Sequence, residues 1–316
     1  MKKVLITGIT GFLGASLVHF FHENKGVRIV GHSRDIEKAK AKFADYEIDF
    51  IDNLSAEKID KNNIDSIIHL AGIAHDLSGK YKPHDYQRIN HEKTIELYEK
   101  FVKSKANSFV FVSSVKAVVD HTDLVINEDF NPNPTSEYGI SKRQAEEYIM
   151  NRDCKDKRYF ILRPCMIHGP GNKGNLNLLY KFVKAGVPYP LGAFENKRSF
   201  LSIDNFCFTI QKIIEDHLKP GTYLLADDDP VSANDLVRLI GHGINKKVRI
   251  FSLPKIMIWN LAKIGSWINV PFNTKTITKL CENMVVSNQK LLLNLNECLP
   301  VSSIEGLKKT IKSFHG

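Results

Sequence analysis

The sequence has no apolar run near the roughly 20 residues that a membrane-spanning helix requires, so no membrane span is expected. It shows no internal repeat and no low-complexity tract. Its cysteines, Cys154, Cys165, Cys207, Cys281 and Cys298, are scattered without a CxxC pair. That pattern suggests reduced thiols of a cytoplasmic protein rather than a disulfide framework or a zinc ribbon. His75, His84 and His91 lack metal-ligand spacing with acids or cysteines, and His69 stands at a strand end, so no metal site is expected. No basic stripe is interleaved with aromatics in the manner of nucleic-acid grooves. The net charge of +9 is therefore read as a solvated basic surface that suits small anionic substrates, with no nucleic-acid partner.

What is present fits a globular chain. There are 316 residues, 43% hydrophobic and 25% charged, enough for one large α/β domain and a smaller lobe. The opening MKKVLITGITGFLG superficially resembles a secretory leader, but it reads better as a buried first strand because the glycines have their own use. Short apolar runs at Lys3–Thr7, Val27–Gly31, Asp45–Ile51, Ser66–Leu70, Ser108–Ser113 and Arg158–Arg163 read as strands. Phe12–Asn24, Tyr86–Ser104 and Glu137–Arg152 between them read as helices. This alternation predicts βαβ units, hence an α/β, Rossmann-like doubly wound parallel sheet. After Arg163 the run PCMIHGPGNKGN signals departure from the sheet. The predicted division is a dinucleotide-binding domain over 1–165, with 199–226 returning to it, and a smaller, mainly helical substrate lobe over 166–316. Lys255–Trp267, apolar with lysines, could be read as a membrane-surface helix; the preferred reading is a core helix of the smaller lobe.

Gly8, Gly11 and Gly14 follow the first strand directly at G-x-x-G-x-x-G spacing. Gly8 would permit the turn, Gly11 a close approach to a pyrophosphate, and Gly14 packing of helix on strand; Thr10, Phe12 and Leu13 fill the loop. An NAD site would place an acid about 20 residues further on. Here stand His32, Ser33 and Arg34, and a cation with a hydroxyl would bind a 2′-phosphate. NADP(H) is therefore the preferred cofactor; NAD(H) is the alternative if Asp35 swings back to the ribose. Tyr138 and Lys142, at i and i+4, share a helix face. A phenol is too weak an acid to act as a base at neutral pH, and a nearby ammonium and a nicotinamide cation would lower its pKa. Tyr138 could then exchange a proton with a carbinol or carbonyl oxygen, with Ser114 at the strand end touching the same oxygen.

Together TGITGFLG, His69-Leu-Ala-Gly72, Asn90, FVSS (111–114), YGISK (138–142) and Arg163-Pro164…Gly169-Pro-Gly171 resemble the extended short-chain dehydrogenase/reductase family, the NAD-dependent epimerase/dehydratase group that acts on nucleotide sugars. The resemblance implies Ser114, Tyr138 and Lys142 as catalytic trio. It implies Asp52, Leu70, Ala71, Gly72, Asn90 and Arg163 near the cofactor, and Ser113, Lys116, Asn175 and Arg198 toward the substrate, with Arg198 on the diphosphate. For Arg198 the alternative is an exposed surface side chain. Dehydratases of the family carry Thr-Asp-Glu where this chain has Ser114-Val115-Lys116, which disfavours water elimination. The run SSVKAV resembles the subgroup that reduces or epimerises C4 of 6-deoxy-N-acetylhexosamine nucleotides. A UDP-4-keto-6-deoxy-N-acetylhexosamine 4-reductase is the leading expectation. A UDP-hexose 4-epimerase with bound NAD is the runner-up, and a non-catalytic NADP-binding sensor is the remaining class. The resemblance also implies a homodimer through the helices at 86–104 and 137–152.

Overall fold

In β1 (Lys2–Thr7) Val4 and Ile6 join the hydrophobic cluster on one face of a sheet and Leu5 the cluster on the other, as the two-residue period of a strand requires. The computed structural model, which describes residues 1–73, 81–172, 174–267 and 273–314, repeats that division across the sheet. β2 (Val27–His32), β3 (Ile48–Ile51), β4 (Ser66–His69), β5 (Ser108–Val112) and β6 (Arg158–Pro164) follow in the chain. β7 (Met166–His168) and β8 (Phe200–Ser202) pair with each other, and β9 (Gly221–Leu225) rejoins the main sheet beside β6. The main sheet has the order β3-β2-β1-β4-β5-β6-β9, with every pair parallel. The order reverses between β1 and β4, and the crevice at the carboxyl ends of those strands is where such sheets take ligands.

Helices α1 (Phe12–Asn24), α2 (Ile36–Lys42), α3 (Ala56–Lys61), α4 (Pro83–Tyr86), α5 (Lys93–Lys103) and α6 (Glu137–Asn151) link the first six strands. They are followed by α7 (Asn175–Lys184), α8 (Ile203–Ile214), α9 (Ala233–Gly243), α10 (Lys255–Trp267), α11 (Thr274–Cys281), α12 (Gln289–Leu295) and α13 (Ser303–Ser313). Leu17, Val18 and Phe21 of α1 and Phe206, Ile210 and Ile213 of α8 cover one face of the sheet. Leu97, Tyr98 and Phe101 of α5 and Ala145 and Ile149 of α6 cover the other. Strands buried on both sides must be apolar throughout, which is why Phe109, Val110 and Phe111 stand in succession. A third cluster, with Tyr180, Val237, Ile240, Ile258, Ile277 and Leu307, forms the core of the C-terminal lobe.

Several elements differ from their sequence-based expectation. The third strand begins at Ile48 rather than Asp45, because Tyr46 N closes a turn onto Phe43 O at 3.0 Å. The expected helix over Tyr86–Ser104 holds a π-helical stretch at Gln87–Glu92, with Asn90 fully buried within it; such wide turns re-aim side chains inside helices. α10, expected in the core of the smaller lobe, buries only Ile258, Ala262 and Gly265. Among the described residues no helix is long and apolar enough to cross a membrane.

Candidate active site

The glycine loop sits in the crevice between β1 and β4. Gly8 has φ +69°, the left-handed region that favours glycine, and a Cβ there would lie 2.8 Å from the backbone nitrogen of Ala71. A Cβ on Gly14 would come within 2.5 Å of the Cα and O of Ile9, so helix and loop meet backbone to backbone. Gly11 is the N-cap of α1 and supplies no side-chain cap, which leaves the first-turn amides available to an anion. Phe12 and Leu13 are half-buried against the core, and Thr10 is exposed with its carbonyl accepting from Lys42 Nζ at 2.7 Å. This cradle fits the pyrophosphate of a dinucleotide.

The end of β2 carries the residues expected beside the adenosine ribose, His32, Ser33 and Arg34. Asp35 N-caps α2, its carboxylate accepting from Lys38 N at 3.0 Å. The Ser33 hydroxyl donates to Asp35 O at 2.9 Å, and Arg34 is exposed. Burial lowers the pKa of the His32 imidazole, keeping it neutral at pH 7. Asp52, just past β3, is exposed and paired with Lys58.

Asn90 fixes the loop after β4. Its Oδ1 accepts from Ile73 N at 2.7 Å, and its Nδ2 donates to Ile73 O at 3.0 Å and to Ser141 Oγ on α6 at 3.3 Å. The loop residues Leu70, Ala71 and Gly72 are thereby held against β1, where Leu70 N donates to Thr7 O at 3.3 Å and Ala71 N to Thr7 Oγ1 at 3.3 Å. Beneath them His69 bonds Thr7 and Thr94 at 2.7 and 2.9 Å. Burial drives its pKa down to about 3, so it stays a neutral structural group.

α6 enters the site on a fixed loop. Asp120 accepts from Thr135 N, Thr135 Oγ1 and Ser136 N at 2.8, 2.9 and 2.8 Å. Burial works to raise the Asp120 pKa, but these bonds overcome it and hold the carboxyl at about 2. Ser136 then caps the helix through Gly139 N at 3.1 Å, which sets Tyr138 in the first turn. A Cβ on Gly139 would lie 2.3 Å from the Lys116 carbonyl, so glycine lets α6 abut the turn that carries Ser114. The Ser114 hydroxyl acts on the Tyr138 phenol and works to lower its pKa. Ser113 Oγ is buried with no hydrogen-bond partner among the described residues.

The electrostatics differ from the sequence expectation. Burial pushes the Tyr138 phenol pKa up, with the Ser114 hydroxyl opposing. Lys142 does not depress it, because the ammonium turns to Val112 O at 3.0 Å and lies 4.7 Å from the Phe111 ring centroid. Burial lowers the Lys142 pKa to about 8, and Glu146 works against that fall. Arg163, expected at the cofactor, is engaged by Glu146. It is buried, and its guanidinium bonds Glu146 at 3.0, 3.1 and 2.7 Å.

Of the residues expected toward the substrate, Lys116 is half-buried, 3.7 Å from Asp120. Arg198 is half-buried rather than an exposed surface arginine, and burial lowers its pKa while Glu282 and Cys165 support the charge. Its backbone pairs with Val231 at 3.1 and 2.8 Å. Asn175 opens α7, but its side chain lies outside the described residues. Three contributors were not singled out from sequence: Asp120, Glu146 and Lys42. Each works through a partner distant in the chain, and no local spacing announces it. Among the described residues no group of His, Cys, Asp and Glu could hold a metal.

The model of the NAD dependent epimerase/dehydratase family matches residues 4–226. A UDP-glucose 4-epimerase of Vibrio cholerae is 28% identical over 322 residues, covering 99% of this chain and 95% of its own. A GDP-6-deoxy-D-talose 4-dehydrogenase of Aggregatibacter actinomycetemcomitans is 24% identical over 219 residues, covering 67% of this chain and 70% of its own. Among solved structures, a UDP-glucuronic acid 4-epimerase from Bacillus cereus in complex with NAD shares the fold, with a TM-score of 0.75 at 20% identity and coverage of 99% and 98% of the two chains.

Proposed function

The chain belongs to the NAD dependent epimerase/dehydratase family, and on that premise we propose that it is an NADP(H)-dependent 4-ketoreductase of a nucleotide sugar, a UDP-4-keto-6-deoxy-N-acetylhexosamine. Asp35 carries the reading. As the first carboxylate after β2 it is engaged in capping α2, so the ribose side meets Ser33 and Arg34, with Lys42 reaching the neighbouring glycine loop. Cations and a hydroxyl suit a 2′-phosphate, where a free carboxylate would repel it. The dinucleotide, when bound, supplies the hydride that C4 of the sugar accepts. Tyr138 delivers the proton to the C4 oxygen, and Ser114 orients that oxygen. A phenol whose pKa is raised by burial stays protonated at neutral pH, the form needed for that step. Lys142 supports the cofactor ribose, and Arg198 meets the substrate diphosphate. In this reading the enzyme works in the cytoplasm as a homodimer that pairs the outer faces of α5 and α6.

A second reading, a 4-epimerase that keeps NAD, is favoured by the end-to-end match to the Vibrio cholerae UDP-glucose 4-epimerase. One experiment divides the two. The purified protein is denatured and any released dinucleotide identified, and the emptied protein is titrated with NADPH and NADH. Tighter NADPH binding, with NADPH oxidation in the presence of a 4-keto-6-deoxy sugar nucleotide, is the expected result. Retained NAD with interconversion of UDP-GlcNAc and UDP-GalNAc would replace the reductase by the epimerase.

A further inference from the structure

We propose that α10 seats this protein on an anionic lipid bilayer as a surface-lying helix. The inward edge of α10 is Ile258, Ala262 and Gly265. On the outward side Ile256 is 77% exposed, Met257 50%, Leu261 42%, Ile264 56% and Trp267 86%. At 100° per residue these five occupy about 140° of one face. A folded domain rarely leaves so many large apolar side chains together in water.

Charge identifies the occupant. From Leu236 to Cys281 the sequence carries eight lysines and arginines and no Asp or Glu, so this stretch holds +8 of the chain's net +9. Lys255 and Lys263 lie on α10 itself, and Lys246, Lys247 and Arg249 are exposed just before it. Arg238 is answered by Asp235 at 2.9 Å. A second copy docking through the same face would set like charges against like. An anionic bilayer answers both features, because apolar side chains enter the headgroup boundary while lysines meet lipid phosphates. A tryptophan at the helix end suits the same boundary.

The test is co-sedimentation of the full chain with vesicles of equal parts phosphatidylcholine and phosphatidylglycerol, and with phosphatidylcholine alone. The expected result is sedimentation with the mixed vesicles only, weakened by salt, with a blue shift of tryptophan emission. Lys263→Gln should lower partition about 5-fold, and Ile256→Ser with Ile264→Ser should lower it roughly 10-fold per side chain. Both positions are exposed, so the serine variants should keep their circular dichroism and NADPH affinity. Absence of sedimentation, equal binding to phosphatidylcholine alone, or binding unchanged in the serine variants would overturn the proposal. So would a concentration-dependent dimer that the serine variants abolish, since a second copy would then be the occupant.

Discussion

Glu146→Gln separates what the buried ion pair does for stability from what it does for the lysine above it. In the native protein Glu146 is fully buried, and Arg163, almost as buried, gives it three bonds of 3.0, 3.1 and 2.7 Å. Removing one partner of a buried pair costs about 3–5 kcal/mol because the other charge is left uncompensated. The glutamine oxygen still accepts one bond, so about 3 kcal/mol is expected. At roughly 2–3 °C per kcal/mol for a chain of this size, the melting temperature should fall by ~6–9 °C. The second effect is electrostatic. Lys142 is pulled down to about 8 by burial, with Glu146 holding it up. Its ammonium therefore persists below about 8 and is lost above. Without the Glu146 charge the lysine loses its proton at lower pH, so the alkaline limb of the kcat profile should move down. Melting and the pH profile of NADPH oxidation are measured on the same preparation. An alkaline limb that stays or moves up, or native-like melting, would refute the linkage. Replacing both partners, Glu146→Leu with Arg163→Met, should recover much of the stability but not the alkaline limb.

Tyr138→Phe should cut turnover about 10²- to 10⁴-fold with NADPH affinity retained, as read by stopped-flow oxidation and by fluorescence titration. Arg34→Ala should weaken NADPH about 10- to 100-fold, the value of charge-assisted phosphate bonds, and leave NADH unchanged. Equal losses for the two dinucleotides would remove Arg34 from the 2′-phosphate. Gly14→Ala puts a methyl 2.5 Å from the Ile9 backbone, so it should lose about 1–3 kcal/mol of stability and bind either dinucleotide poorly. Normal affinity would show that this helix–loop contact does not shape the cradle.

The sequence by itself determined the layered architecture. Apolar runs spaced by helical periods admit few arrangements other than a parallel sheet covered on both faces, and the helix bounds Phe12–Asn24 were legible to the residue. The glycine spacing and the Tyr138–Lys142 pair were also legible, because both are local patterns within one turn or one helix. Tertiary structure decided the rest. Arg163, expected at the cofactor, is engaged by Glu146 because two buried charges across β6 and α6 must meet each other. Lys142 was expected to depress the Tyr138 phenol, yet burial dominates both groups and the ammonium faces Val112 and Phe111. Asp120 anchors the entry to α6 from 15 residues away, and Asp35 caps a helix. α10 has the composition of a core helix, and only the packing of the lobe shows that one edge is buried. Periodicity reports which residues can share a face; which faces find a partner is set by elements distant in the chain.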